Sequence, residues 1–426
     1  MNKKPTILII TFCIPWPVAD GGKMYGYTSV NWLKRHYDIT LLISVYNQQD
    51  LEDAAHLHAI WPDVRIEVVN YIKQQGPKEK FKKSLRDFYY AHFSKREAAQ
   101  SHVFFNLRKK ITNIFLLSNN LLSKCEQLFT ENVFDIVQVE YSTNIGCVNF
   151  IPEGQLKVYV EIESLYSIME DYMAVGNDRS FGNKYLVTCA KNIELDFMKR
   201  YDAIFSLNNS DQQRISRLLP GLKVFNSPFA VPDEYFTAPE LLDSWKPEKL
   251  IFIGSENHFP NKEGLEWYAE EILPLIKNSS VTCYITGTWS DTFRKRMSGC
   301  NKLVFTGFVK DLSEIMANSI MIVPIRLGGG GIRAKVIQAM AFGIPLISTS
   351  LGCMGIETEN GGEIIVCDDA PGFAQAIDQL LSDRRPGLQM IKAASVDAWE
   401  KYSEAAAGNL RHGFYQRLLA GNNHPH

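Results

Sequence analysis

At 426 residues, 46% hydrophobic and 22% charged, the chain has a globular composition and is too long for one ordinary core, so two domains are expected. A net charge of -2 excludes a chain-wide pull toward nucleic acid. Eight scattered cysteines with no C-x-x-C pair exclude a zinc or disulfide framework and predict reduced core thiols in a cytoplasmic setting.

The apolar run 7–10 is followed by Pro15 and Pro17 with no small-residue cleavage site, so 6–11 reads as a first strand and not as a signal peptide. No apolar stretch reaches the ~20 residues that cross a bilayer. A loop then leads to a helix expected from about 24 to 35 and a strand over 38–44. Gly21 and Gly22 stand at this strand-to-helix turn, where backbone N–H groups either meet an anion or simply turn the chain. Between 71 and 112 eleven Lys and Arg face three acids, with Phe81, Phe88, Tyr89, Tyr90 and Phe93 interleaved. This predicts one or two basic amphipathic helices that either attach to an anionic membrane surface or phospholipid-linked acceptor, or pack on their own domain with solvated charges.

Strands follow over 134–141 and 157–164, each ending in acidic or hydroxyl residues where a doubly wound sheet exposes its ligand edge. Glu140 and Glu163 are candidates there; the alternative is a cap on the following helix. A helix over 192–200, a strand over 201–206 and a helix start at Asn208-Asn209-Ser210-Asp211 complete the first domain. Pro220, Pro228, Pro232 and Pro239 mark a loop-rich linker. The expected division is 1–235, with the basic excursion in 71–130, then 236–398, then a C-terminal helix in 399–426.

The second domain opens with a strand over 249–255 whose end, Gly254 and Ser255, faces the ligand edge. A helix is expected over 265–276, closed by Pro274, with strands over 281–286 and 320–324 and a segment 303–311 carrying Val309. Gly328, Gly329, Gly330 and Gly331 then free a loop of every Cβ, so its N–H groups can approach a ligand. In the helix that follows, Ile332, Val336, Ile337 and Met340 form the apolar stripe, while Lys335 and Gln338 share another face one turn apart. Arg333 and Lys335 put two cations at the positive end of this helix, which is unfavourable unless an anion such as a diphosphate lies there. The alternative is a tight turn with solvated cations. Gly343 and Pro345 end the helix, a strand over 345–349 follows, and 363–367, 373–381 and 399–419 read as strand, helix and final helix.

The run from Gly328 to Pro345, with its Arg, Lys, Ala-Met-Ala, Gly and Pro in register, resembles the second-domain signature of GT-B glycosyltransferases of family GT4, in the subgroup written GGGxRxKxxEAMAxGxPVVST. Phe252-Ile253-Gly254-Ser255, Pro260-Asn261 and Phe305-Thr306-Gly307-Phe308-Val309 fall on the same pattern. Glu161-Ile162-Glu163-Ser164 is similar to the Asp-Val-Asp-Ser of a bacterial exopolysaccharide sugar-transferase subgroup. The resemblance implies an α/β GT-B fold, two Rossmann-like domains facing across a central cleft, with the last helix crossing back onto the first. It implies metal-independent transfer, with retention, from a UDP-sugar or GDP-sugar and no cofactor.

On that resemblance Arg333, Lys335 and the N–H groups of Gly329, Gly330, Gly331 and Ile332 stabilise the departing diphosphate. Gly21 and Gly22 face the donor phosphates and acceptor, Gly254 and Ser255 touch the phosphates, and the Val309 backbone reads the base. Two positions depart: Gln338 replaces the glutamate that holds the ribose hydroxyls, and Glu140 replaces a histidine close to the transferred sugar. Glu140 and Glu163 are thereby acceptor-side or sugar-side candidates. The acceptor is expected to be a saccharide, polyprenyl-linked, in surface polysaccharide or glycoconjugate synthesis at the inner membrane face. A sugar-nucleotide-binding protein without turnover, or a GT-B sugar epimerase, are the competing readings. A nicotinamide oxidoreductase is disfavoured because Pro15-Trp16-Pro17, and no G-x-G-x-x-G, follows the first strand.

Overall fold

A computed structural model describes residues 3–72, 116–176, 180–299, 302–309, 311–328, 331–358 and 362–422. The basic aromatic stretch beyond Ile72, and Gly329 and Gly330, lie outside the described residues.

Strands β1 (Thr6–Ile10), β2 (Asp38–Val45), β3 (Arg65–Asn70), β4 (Ile136–Glu140), β5 (Leu156–Glu161), β6 (Ala203–Ser206) and β7 (Lys223–Asn226) form a parallel sheet ordered β3-β2-β1-β4-β5-β6-β7. Their near-continuous apolar runs suit strands covered on both faces: Ile7 and Ile9 enter one hydrophobic cluster, Leu8 and Ile10 the other. Strands β8 (Lys249–Ile253), β9 (Cys283–Thr286), β10 (Leu303–Gly307), β11 (Ser319–Val323), β12 (Leu346–Ser348) and β13 (Ile365–Val366) form the second parallel sheet, ordered β10-β9-β8-β11-β12-β13. Strand β7 falls inside the stretch read as linker. Its four residues are too few to show alternation, and it is ordered by pairing with β6 at the sheet edge.

Helix α1 (Gly21–Leu33) begins three residues earlier than expected, because Asp20 caps it by accepting from the Lys23 N–H at 3.0 Å. Gly21 and Gly22 are thus its first turn. Helix α2 (Phe259–Trp267) also starts early, with Pro260 in its first turn, and continues through a π turn (Tyr268–Ile272) and a 3-10 turn (Leu273–Leu275) containing Pro274. Helix α3 (Ala334–Phe342) follows the glycine loop and ends at Gly343 in the left-handed conformation, φ 64°.

The final helix expected over 399–419 is two helices, α4 (Arg384–Tyr402) on the second domain and α5 (Glu404–Asn422) on the first, broken at the extended Ser403. The linker runs beside this break: Val231 N–H donates to the Tyr402 carbonyl at 3.0 Å, and Glu404 N–H donates to Asp233 Oδ1 at 2.9 Å. Both crossings between the domains therefore share one hinge. Among the described residues no helix is long and apolar enough to cross a membrane.

Candidate active site

In each sheet the strand order reverses direction once, between β1 and β4 and between β8 and β11. Crevices beyond the carboxyl ends of such strands are where open α/β sheets hold ligands. Here the two crevices face each other. A Cβ added at Gly21, in the first turn of α1, would lie 3.2 Å from Ala334 Cβ, in the first turn of α3. Two helix N-termini, each with unsatisfied N–H groups and a positive dipole end, thus converge on one spot.

On the second-domain side Gly328 and Gly331 have φ of 115° and 91°, values that side chains other than glycine rarely adopt. The Arg333 guanidinium donates to both of them, to the carbonyls of Gly328 at 3.2 Å and Gly331 at 3.5 Å. Ile332 packs partly buried against the core. Lys335 Nζ donates to Asn261 Oδ1 at 2.8 Å and lies 5.0 Å from the Phe252 ring centre. Burial, then the neighbouring Arg333 charge, pulls Lys335 down to about 7. His258, at the N-cap of α2, is pushed down to about 4 by burial and by Lys335 and Arg333, although its side chain keeps an exposed edge. The Arg333 charge thus disfavours protonation of both Lys335 and His258, in addition to the larger effect of burial.

Other second-domain candidates have more structural partners. The Gly254 carbonyl accepts from Trp289 Nε1 at 2.9 Å and Ser255 Oγ accepts from the Thr288 N–H at 3.2 Å, tying β8 to the loop after β9. Val309 follows the edge strand β10, half-buried. Gln338 does not share the surroundings of Lys335: it is buried, and its amide reaches Met24 Sδ of α1 at 4.0 Å.

On the first-domain side Gly331 N–H donates to Asp211 Oδ2 at 3.4 Å, so this domain reaches the glycine loop with a carboxylate. Asp211 and the buried Glu161 share Arg214, at 2.9 and 3.0 Å. Burial and the Asp211 charge raise Glu161 well above the carboxylate range. Glu163 lies two residues beyond β5, exposed. Glu140 is buried below the crevice; it accepts from Gln138 at 2.6 Å, and burial raises it to about 7 against the opposing pull of Arg411. Arg411, on α5, donates to Tyr25 Oη and Ser29 Oγ at 2.7 Å and to Ser227 Oγ at 2.8 Å, and Tyr415 Oη donates to Gln138. Glu140 thus lies beside the anchor of the C-terminal helix.

Sequence reasoning does not single out His258, Glu161, Arg214 or Arg411 as site residues. His258, three residues before Asn261, and Glu161, within the quoted Glu161-Ile162-Glu163-Ser164, have a local signal. Arg214 meets Glu161, and Arg411 meets Tyr25, Ser29 and Ser227, from segments far apart in the chain.

The family model Glycosyl transferases group 1 matches residues 247–383. An uncharacterized 44.6 kDa protein in the cps region of Klebsiella pneumoniae is 25% identical over 138 residues, which are 30% of this chain and 36% of that protein. That alignment thus spans about a third of the relative. Sucrose-phosphate synthase of Thermosynechococcus elongatus superposes with a TM-score of 0.67 at 12% identity, over 98% of this chain and 100% of that one. TarM of S. aureus, solved with Fondaparinux, alpha-GlcNAc-glycerol and UDP, gives 0.62 at 11% identity over 97% and 99%. Anabaena HepE with UDP-glucose gives 0.62 at 11% over 96% and 99%. At these identities the likeness is one of fold. Residues 247–383 thus match the Glycosyl transferases group 1 family, and the chain as a whole has the two-domain GT-B fold of the superposed structures.

Proposed function

We propose that the chain transfers a sugar, with retention and without a metal, from a nucleotide diphosphate sugar to a saccharide acceptor. The observation that carries this is the convergence of the α1 and α3 N-termini beside Arg333 and Lys335. The leaving diphosphate gains charge in the transition state, and donors already aimed at it stabilise that charge without reorganising. HepE was solved with UDP-glucose and TarM with UDP, so a uridine diphosphate sugar is the first donor to try. The acceptor we infer is lipid-linked, in surface polysaccharide synthesis at the inner membrane face. The basic aromatic sequence 71–112 supports this, as does the cps-region setting of the Klebsiella relative. Calorimetric titration with UDP, GDP and ADP, each with and without EDTA, tests the donor side. Binding of none of them, or binding that EDTA abolishes, would count against the reading.

Lys335 makes this binding pH-dependent. Its free ammonium titrates near 7, and a bound diphosphate holds it protonated, so binding takes up a proton above that pH. Affinity for UDP-glucose is expected to rise as pH falls from about 9 to about 7, by up to about tenfold per unit, and to level off below. Titrations in buffers of different ionisation enthalpy check the proton uptake.

A second reading, donor binding without turnover, is favoured by Gln338, whose amide is buried against Met24. A neutral amide holds a ribose hydroxyl less strongly than a carboxylate does. Gln338→Glu is therefore expected to tighten UDP binding about tenfold. Donor binding with no transfer to any acceptor and no donor hydrolysis would support the second reading.

A further inference from the structure

We propose that the carboxyl edge of the first sheet carries an aromatic track that binds an acceptor of several linked sugars. The proposal rests on the transferase reading and names the acceptor class for it. Four neighbouring strands, β3, β2, β1 and β4, are each followed within two residues by an aromatic: Tyr71, Tyr46, Phe12 and Tyr141. Single exposed aromatics are ordinary on protein surfaces. Two exposed rings, Phe12 and Tyr46, each backed by a part-buried tyrosine, stand on adjacent strands along the edge where such sheets bind ligands, and this calls for a reason.

They form two ledges. Phe12 and Tyr141 have ring centres 4.4 Å apart, tilted by 56°, and Phe12 is 37% exposed. Tyr141 is held at φ 66°, ψ 147°, a region that residues other than glycine rarely adopt. Its hydroxyl rests on the first turn of α1, where a Cβ added at Gly22 would come within 2.6 Å. This ledge therefore begins beside the spot where α1 meets α3. Tyr46 and Tyr71 stack with centres 5.0 Å apart and planes 8° apart, and Tyr46 is 54% exposed. They are fixed in place: Tyr46 N–H donates to Asp50 Oδ2 at 2.7 Å, Tyr71 N–H donates to the Val45 carbonyl at 2.8 Å, and the Tyr71 hydroxyl lies 2.5 Å from Ser118 Oγ.

The register gives their spacing. Ile10 pairs with Leu42 and with Val139, and Val45 pairs with Asn70, so Tyr46 stands one strand over from Phe12 and two residues higher. At the usual strand spacing and rise this is about 8 Å, further than one pyranose ring spans. The ligand class follows from the chemistry of the ledges. The C–H face of a pyranose is weakly positive and apolar, and it packs on the negative face of an aromatic ring, while its hydroxyls stay in water. A sugar chain touching both ledges gains twice for one loss of translational freedom.

The test uses the full chain saturated with UDP, titrated by NMR with maltohexaose, cellohexaose and chitohexaose, each beside its monosaccharide. At least one hexasaccharide is expected to bind about tenfold tighter than its monosaccharide. Tyr46→Ala should remove about fivefold of that advantage and Tyr46→Phe should keep it, with UDP affinity unchanged in both. Equal binding of hexasaccharide and monosaccharide across the panel, or an undiminished preference in Tyr46→Ala, overturns the track. A parallel UDP titration separates the two claims. Without UDP binding the transferase reading fails; with UDP binding and no chain-length preference only the track fails.

Discussion

Replacing Arg333 by alanine is expected to lower transfer by about 10²–10³-fold, measured as release of nucleoside diphosphate at saturating donor. In the proposed mechanism the side chain brings a charge to the diphosphate, and in the structure it donates to the carbonyls of Gly328 and Gly331. Arg333→Lys keeps the charge but loses the fork, so it should recover part of the turnover and little of the loop's order. Because the loop is at the cleft and not in either core, the midpoint of urea unfolding should move little in both variants. Full turnover in Arg333→Ala would remove the proposed mechanism.

The second large effect is on stability. Arg411→Ala is expected to destabilise the protein by about 3–5 kcal/mol, because it removes the charge that faces buried Glu140 and leaves Tyr25, Ser29 and Ser227 without their shared donor. The same change should loosen α5 from α1, seen as faster hydrogen exchange along 404–422. Glu140→Gln should rescue part of the loss, since it removes the uncompensated acid. That variant also has a pH signature. The folded-state pKa of Glu140, about 7, lies above its ordinary value of 4.5, so the folded state holds the extra proton. The stability contributed by Glu140 is then fully present below 4.5 and lost as pH rises through 7, and Glu140→Gln should remove this part of the slope. Glu194 and Glu404, also raised to about 7, carry the same sign and keep a residual slope in the variant. Urea midpoints measured from pH 5 to 8 decide it.

Much of the second domain is legible in the sequence alone. Its strands are short apolar runs punctuated by Gly and Pro, and the glycine loop, α3 and Gly343 follow one another in a stretch where local rules act together. The first domain is less legible. Strand β7 lies hidden in a proline-rich stretch, and the start of α1 depends on whether Asp20 caps it. The final helix reads as continuous because nothing local demands a break at Ser403; the break follows from docking α4 on one domain and α5 on the other.

Site residues divide along the same line. Arg333, Lys335 and the glycines can be named from spacing, since one loop and one helix turn bring them together. The depressed Lys335 cannot, because it depends on burial against Phe252 and Asn261 from β8 and α2. Nor can the different surroundings of Gln338 and Lys335, which share a helix face in projection while Gln338 meets α1 of the other domain. What the sequence by itself determined about this protein is the α/β class, the two domains and the cationic glycine loop, all products of periodicity and backbone freedom within a few residues. Only the tertiary structure decided which ionisable groups burial pushes toward their neutral forms, that Glu140 lies near Arg411 of the C-terminal helix, and that four aromatic residues line one edge. Those properties depend on desolvation and on distances between segments far apart in the chain, which no local pattern encodes.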